Sequence, residues 1–233
     1  MKKILYYLLE KFIMADFTNL IADEINRINK ENNLIIFDVG CYIGNFSRNL
    51  KKKIKKKSKF YLFDANPNLD IKDFSYEKIA ISDKKGFEDF YINNFLPHSG
   101  SSLNNIHVKD KLWNLTRKII SGSLNKSYIS VKVPTQTLDE YCLMKNIKQI
   151  DVLKIDTEGS EIEVLKGGEK ILKSVQILAL EILDEKSKFT NKRKNIFELL
   201  ELKYGFYKVL EKNMWSLGTL SSMKAIDVLF FKK

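Results

Sequence analysis

The sequence predicts an α/β fold: a mostly parallel sheet with helices on both faces and an antiparallel strand at its C-terminal edge. Three observations carry this expectation. Strand-like apolar runs alternate with helical patterns along the 233 residues. The run over 175–182, VQILALEI, is nearly continuous apolar, as in a strand covered on both sides. The last two strand-like runs, 206–210 and 225–231, have no helix between them, which suits antiparallel pairing.

The elements follow in order. The chain starts MKKILYYLLEKFIM, where Ile4, Leu5, Leu8 and Phe12 sit at helical spacing. Glu10 and Lys11 interrupt that stretch before a signal-peptide core is complete. Core docking or partner contact is the reading, with peripheral membrane contact as the alternative. Leu34–Val39 is an apolar strand with one acid. A helix is predicted over 45–57 and strands over 60–63, 76–81 and 87–92. Residues 93–127 form a long polar stretch that holds both histidines. A strand follows over 128–133, then a helix over 137–146 with Thr137 at its cap and Glu140 three residues on. Ile150–Ile155 is a strand, and Ile162, Leu165 and Leu172 mark one face of the next helix. A last helix is predicted over 197–204.

Composition narrows the class. A hydrophobic fraction of 44% and a charged fraction of 30% exclude a disordered chain. No run approaches the roughly 18 apolar residues of a membrane-spanning helix. The two cysteines, Cys41 and Cys142, are far apart, which is neither a disulfide framework nor a zinc spacing. A reducing cytoplasm is the expected compartment. Forty Lys+Arg against 29 Asp+Glu give a formal charge of +11, a field that favours anionic partners. A sequence rich in Lys, Asn and Ile explains the same charge without a partner. The run KKKIKKKSK over 51–59 divides the same way. It reads as a solvated helix end that suits the helix dipole, with an anion-contacting patch as the alternative.

The chemistry concentrates in IIFDVGCYIGNFS, 35–47, and KFYLFDANPN, 59–68. A strand, a glycine turn, a helix and a second strand ending in an acid build a nucleoside pocket beyond the carboxyl ends of the strands. Gly40 lets the backbone turn and admits a close ligand. Gly44 starts a helix whose free N–H groups face the ligand. Asp38 is placed to hold the loop or to accept from a ligand ammonium. Asp64 is placed to accept both ribose hydroxyls. The spacing lacks the G-x-G-x-x-G of a dinucleotide site and the Lys-Ser/Thr of a P-loop. A nucleoside without phosphates fits better, with S-adenosylmethionine the common one. Ser82 and Asp83, after the third strand, are placed to meet an adenine amino group.

Five segments in one order give the chain a family resemblance: DVGCYIGNFS from Asp38, FDANP from Phe63, AISD from Ala80, SSL from Ser101 and LKIDTEGSEIEVLKG over 153–167. Together they resemble the FkbM family of methyltransferases, over roughly residues 30–231. Cys41 and Tyr42 stand where that family usually has alanine and asparagine, and Asp64 replaces its more frequent glutamate. The resemblance implies a class I Rossmann-like methyltransferase fold, S-adenosylmethionine as methyl donor with S-adenosylhomocysteine as product, and a hydroxyl acceptor on a sugar, glycan or secondary metabolite. It implies a methyltransferase domain over 31–233 with a substrate-side insert at about 93–127, after a helical extension over 1–30. Cofactor contacts are expected from Asp38, Gly40, Cys41, Tyr42, Gly44, Asn45, Phe46, Asp64, Ala65, Asn66, Ser82, Asp83, Ser102 and Asp156.

An alcohol is a poor nucleophile while protonated, so a base is useful at the transfer site. Asp156 follows the strand Ile150–Ile155 at the sheet edge that carries the glycine turn, and is the first candidate. Glu158 and Glu161 are placed either to assist or to cap the next helix. Glu181, an acid inside an apolar strand, is the second candidate. His98 and His107 lie in the long insert, and His98 is the third. No metal spacing is present, so no metal is expected. RNA as the acceptor, and a cofactor-binding module without turnover, stand as the alternative functions. The acceptor and the oligomeric state are not encoded in any motif.

Overall fold

The structure, a computed structural model, describes residues 17–27, 33–93, 101–105, 115, 128–213 and 223–233. Its strands are β1 (Leu34–Val39), β2 (Ser58–Phe63), β3 (Tyr76–Glu77), β4 (Ala80–Ile81), β5 (Gly86–Asn93), β6 (Tyr128–Gln136), β7 (Ile150–Ile155), β8 (Val175–Glu185), β9 (Phe206–Asn213) and β10 (Met223–Lys232). The helices used below are α1 (residues 17–27), α2 (Asn45–Lys53), α3 (Leu138–Met144), α4 (Glu161–Gly167) and α5 (Lys186–Glu198). A seven-stranded sheet runs in the order β3-β2-β1-β7-β8-β10-β9. Its pairs are parallel except those of β10, which is antiparallel to both β8 and β9. The antiparallel strand therefore sits one place in from the edge that β9 forms.

Alternation along the strands fills both faces. Phe37, Val39, Leu153, Ile155, Leu178, Leu180, Ile182, Val228 and Phe230 join α3, α4 and α5 in one apolar core. Ile36, Val152, Ile177, Ala179 and Leu229 meet Phe17, Ile21, Ala22 and Ile25 of α1 and Phe46 and Leu50 of α2 in a second. Phe17, Ile21 and Ile25 recur every four residues, so α1 lays one stripe on the sheet and docks as core. Ile4, Leu5, Leu8 and Phe12, expected to dock in the core or on a partner, lie outside the described residues.

Four sequence expectations change. The helix expected over 45–57 ends at Lys53, because Ile54 turns extended. The strand expected over 76–81 splits. Tyr76–Glu77 extends the main sheet, while Ala80–Ile81 joins β6 and β5 in a separate three-stranded sheet. The helix through Ile162, Leu165 and Leu172 stops at Gly167, and Leu172 belongs to a separate 3₁₀ turn, Ile171–Ser174. The helix expected over 197–204 begins eleven positions earlier, at Lys186, and its last turn, Leu199–Lys203, is a π-helix. The polar sequence KSKFTNKRKN hides its periodicity, since only Phe189, Lys192 and Ile196 of α5 are buried.

The lysine run is partly structural. Lys53 Nζ bonds Thr18 Oγ1 at 2.6 Å and Lys56 Nζ bonds the carbonyl of Ile25 at 2.9 Å, tying α1 to α2. Lys51 and Lys59 lie over the rings of Phe74 and Tyr61. Thr137 caps α3 as expected, accepting from the amide of Glu140 at 3.1 Å.

Candidate active site

The strand order reverses between β1 and β7, which places the ligand crevice at their carboxyl ends. There the ends of the two strands touch. The Asp156 amide donates to the carbonyl of Val39 at 3.0 Å. A Cβ on Gly40 would fall 1.8 Å from the Asp156 carbonyl oxygen, and Gly40 has φ +72. Glycine is required here by the neighbouring strand, not by room for a ligand. Gly44, with φ +80, ends the turn and starts α2 with no side-chain cap. The first-turn amides of α2 are thus left for solvent or a ligand.

Asp64 closes the other wall. Its carboxylate accepts from the amide of Tyr42 at 2.9 Å and from that of Asn66 at 2.9 Å. The first bond holds Tyr42 at φ 49, a left-handed conformation that a tyrosine rarely adopts. A carboxylate has about four acceptor sites, and two are used. Burial pushes the group up to about 6, against the pull of the two amides and of Lys154.

Beneath the turn lies a row of charges on one sheet face. Asp38 stands opposite Lys154 in the β1–β7 register. Asp38 is fully buried, accepts from Ser47 Oγ at 2.7 Å, and lies 3.3 Å from Lys154 Nζ. Lys154 also donates to the Gly40 carbonyl at 3.0 Å and pairs with Asp156 at 3.1 Å. The ammonium thus faces two carboxylates and a carbonyl. Burial would lower Lys154, but Asp156 and Asp38 raise it well above the ordinary lysine range. Asp38 therefore faces inward, to Ser47 of α2 and to Lys154.

The Asp156 carboxylate is half-buried and hydrogen-bonded to Glu181. Burial would raise Asp156, but Lys154 and the bond from Glu181 hold it below the ordinary aspartate range. Burial and the charges of Asp156 and Glu158 push Glu181 far up. Of the two, Glu181 holds its proton the more tightly. Oxygens of Asp156, Glu158 and Glu181 come within 4.8 Å of one another.

The loop after β7 is held from two sides. Glu158 has φ 54. The buried Glu161 accepts from the Gly159 amide at 2.6 Å and pairs with Lys192 of α5 at 2.7 Å. Lys192 also donates to the carbonyls of Gly159 and Leu183. From the insert side, Ser102 Oγ donates to the Thr157 carbonyl at 2.8 Å, and Asn104 Nδ2 reaches the Gly159 carbonyl at 3.3 Å. Glu161 is thus a brace for the loop.

The other sequence candidates scatter around this centre. Cys41 is buried, and burial raises its thiol well above the ordinary range. Asn45 begins α2 and accepts from Arg48 at 3.4 Å. Phe46 is core, and Ala65 packs with Ala80, Phe90, Ile92 and Val133. Asn66 is buried and accepts from the Asn68 amide. Ser82 is buried against Gly167, while Asp83 is exposed. His98 and His107 lie outside the described residues. Sequence reasoning missed Lys154, Lys192 and Asp227. The signal for Lys154 and Asp227 was present: each is a charge inside an apolar strand, as Glu181 is.

A parallel core with one antiparallel strand inserted next to the last edge is the sheet of a class I methyltransferase. The methyltransferase FkbM domain matches residues 38–208. The chain belongs to that family. It is 26% identical over 172 residues to the 2-O-methyltransferase NoeI of Sinorhizobium fredii, covering 65% of this chain and 64% of that protein. The chain thus spans less than two thirds of that relative's length. Among solved structures it is similar to the N-methyltransferase NodS of Bradyrhizobium japonicum (TM-score 0.43, 7% identity, 95% of this chain and 96% of that one). It is also similar to an S-adenosylmethionine-dependent methyltransferase of Agrobacterium tumefaciens (TM-score 0.42, 9% identity, 96% of this chain and 62% of that one). No helix among the described residues is long and apolar enough to cross a membrane.

Proposed function

We propose that the protein is an S-adenosylmethionine-dependent O-methyltransferase acting on a hydroxyl of a sugar, glycan or secondary metabolite. The observation that carries this reading is the Asp156–Glu181 carboxyl pair, poised at the strand crossover beside the Gly40 turn. A hydroxyl acceptor needs a proton acceptor at the point of transfer, and Asp156 is kept ionised there. The relative NoeI, named as a 2-O-methyltransferase, supports oxygen as the acceptor atom.

The residues fit the cofactor. Asp64 is a half-buried carboxylate with two acceptor sites unspent, and burial raises its affinity for protons. Ribose hydroxyls supply donors for those sites. Tyr42, Gly44 and the α2 amides frame the same opening. When bound, S-adenosylmethionine supplies an electrophilic methyl group. Asp64 holds the sugar edge, the Gly40–Gly44 turn sets the depth of the opening, and Asp156 orients the acceptor hydroxyl and takes its proton.

The test is transfer of labelled methyl from S-adenosylmethionine to a panel of sugar and glycan acceptors, paired with calorimetry on Asp64→Ala. Labelled acceptor, with cofactor affinity lost in the variant, is the expected result. Unchanged affinity in Asp64→Ala removes the pocket assignment, and label on no hydroxyl removes the O-methyl assignment. The +11 charge favours RNA as a second acceptor class. Binding of RNA that falls steeply with salt is its signature.

A further inference from the structure

One cavity lies behind the carboxyl pair, on the sheet face that α1 and α2 cover. It has a volume of about 30 Å³. Its walls are Phe17 of α1, Phe46 of α2, and Lys154, Asp156, Glu181 and Asp227 of the sheet, with apolar neighbours on β7 and β8. A buried water needs roughly 10–15 Å³ by this measure and two to four polar partners. The space therefore takes about two waters, and four ionisable side chains offer the partners. One of them is waiting: the buried Oε2 of Glu181 has no hydrogen-bond partner in the protein. Asp227 faces Glu181 directly in the β8–β10 register. Neither the family resemblance nor the cofactor pocket gives Asp227 a task.

We propose that this cavity is a water-filled proton reservoir, with Asp227 as the group that receives the proton released by methyl transfer. The proposal rests on the O-methyl reading above. In the step, the acceptor oxygen attacks the methyl carbon. The O–CH₃ bond forms as the bond from that carbon to the donor sulfur breaks, and the sulfur keeps the pair as a neutral thioether. The hydroxyl proton passes to the Asp156 carboxylate. The pair with Glu181 then hands one proton through the cavity water to the Asp227 carboxylate. Asp156 ends ionised and Glu181 ends protonated, as both began. The net change is one proton on Asp227.

Asp227 is surrounded by the groups such a role requires. Burial and the charge of Asp156 push it up to about 7, while Lys154 and Lys212 pull the other way. Lys212 is its register partner on β9, and Glu181 its partner on β8. Among the described residues, the helices that cover the cavity present Phe17 and Phe46 to it. A proton placed on Asp227 is thus held near neutrality.

The experiment is the pH profile of kcat for the wild type and Asp227→Asn, with calorimetry of cofactor binding for both. Wild-type kcat is expected to climb with pH through about 7 and then level. In Asp227→Asn that limb disappears, and kcat at about pH 8 falls roughly tenfold, the low end for a group in a proton path. Cofactor affinity stays within about twofold. A variant that keeps the wild-type limb overturns the proposal. A wild type that binds cofactor but methylates no hydroxyl overturns the O-methyl reading instead. The reservoir is then judged by carbon NMR of labelled aspartate. A carboxyl titrating near 7 that moves in Glu181→Gln upholds it, and one titrating in the ordinary aspartate range refutes it.

Discussion

The two faces of the main sheet begin alike and end differently. On the face under α3, α4 and α5, the strands stay apolar to their carboxyl ends: Val39, Ile155, Leu180 and Ile182 are all buried hydrophobics. On the face under α1 and α2, Ile36 gives way to Asp38, Val152 to Lys154 and Asp156, and Ile177 and Ala179 to Glu181. β10 runs the other way and brings Asp227 to the same level. Both faces obey the period of two that separates the sides of a strand. One face is therefore scaffold throughout. The other is apolar at one end and charged at the other, with α1 and α2 packed on its apolar part. Burial lowers the local dielectric around these charges, where each attraction counts for more.

The largest expected effect comes from removing the base from the charged end. Asp156→Asn keeps the shape and loses the proton acceptor, so kcat is expected to fall about 100- to 10,000-fold. Single-turnover methyl transfer measures it. Full activity in this variant breaks the claim that the charged end is the chemical one.

Lys154→Met tests whether the charged end is also a structural joint. The change leaves Asp38, fully buried, without its cation. Breaking a buried pair from one side costs about 3–5 kcal/mol. A drop of that size in urea unfolding is expected, with recovery of most of it in the double variant Asp38→Asn, Lys154→Met. Failure of the double variant to recover shows that Lys154 acts through Gly40 and Asp156 instead.

A pH titration sharpens the comparison further, because the charged side carries raised carboxyls at Asp64, Glu181 and Asp227. Asp64 has a folded value of about 6, above the ordinary aspartate value, so the folded protein holds its proton longer than the unfolded chain. Its contribution to stability is full in acid and is lost as pH rises through about 6. Cofactor affinity should run the opposite way, because ribose hydroxyls need the ionised acceptor. The dissociation constant is expected to rise by up to about tenfold per pH unit below that point, read by calorimetry. A flat profile removes Asp64 from the binding site.

The difference between the faces also explains what the sequence made legible. The scaffold face was readable because apolar residues at period two announce a buried strand, as in 175–182, and because Thr137 and Glu140 mark a helix start. The glycine turn, Asp64, Asp156 and Glu181 were readable as polar residues at strand ends. What stayed hidden depends on partners far apart in the chain. Lys154 matters through Asp38, 116 positions away, and Lys192 through Glu161. The reason for Gly40 is the Asp156 carbonyl, which no local pattern encodes. The split of 76–81 between two sheets was hidden too, since β4 pairs with β6 across the insert.

The smallest expected effect falls on the scaffold face and serves as its control. Thr137 caps α3, whose Leu138, Tyr141 and Cys142 pack into the apolar core far from any charge in the row. Thr137→Ala removes one acceptor from the amide of Glu140. The acidic first turn of α3, Asp139 and Glu140, still suits the helix dipole, so the helix persists. A loss of about 1 kcal/mol in urea unfolding is expected, the usual value for such a cap. Turnover at saturating substrate should not move, because the covering helix holds the sheet from the side that carries no reacting group. A change in kcat without a matching change in stability would mean that the two faces are coupled through the strands, and that the apolar face does more than support.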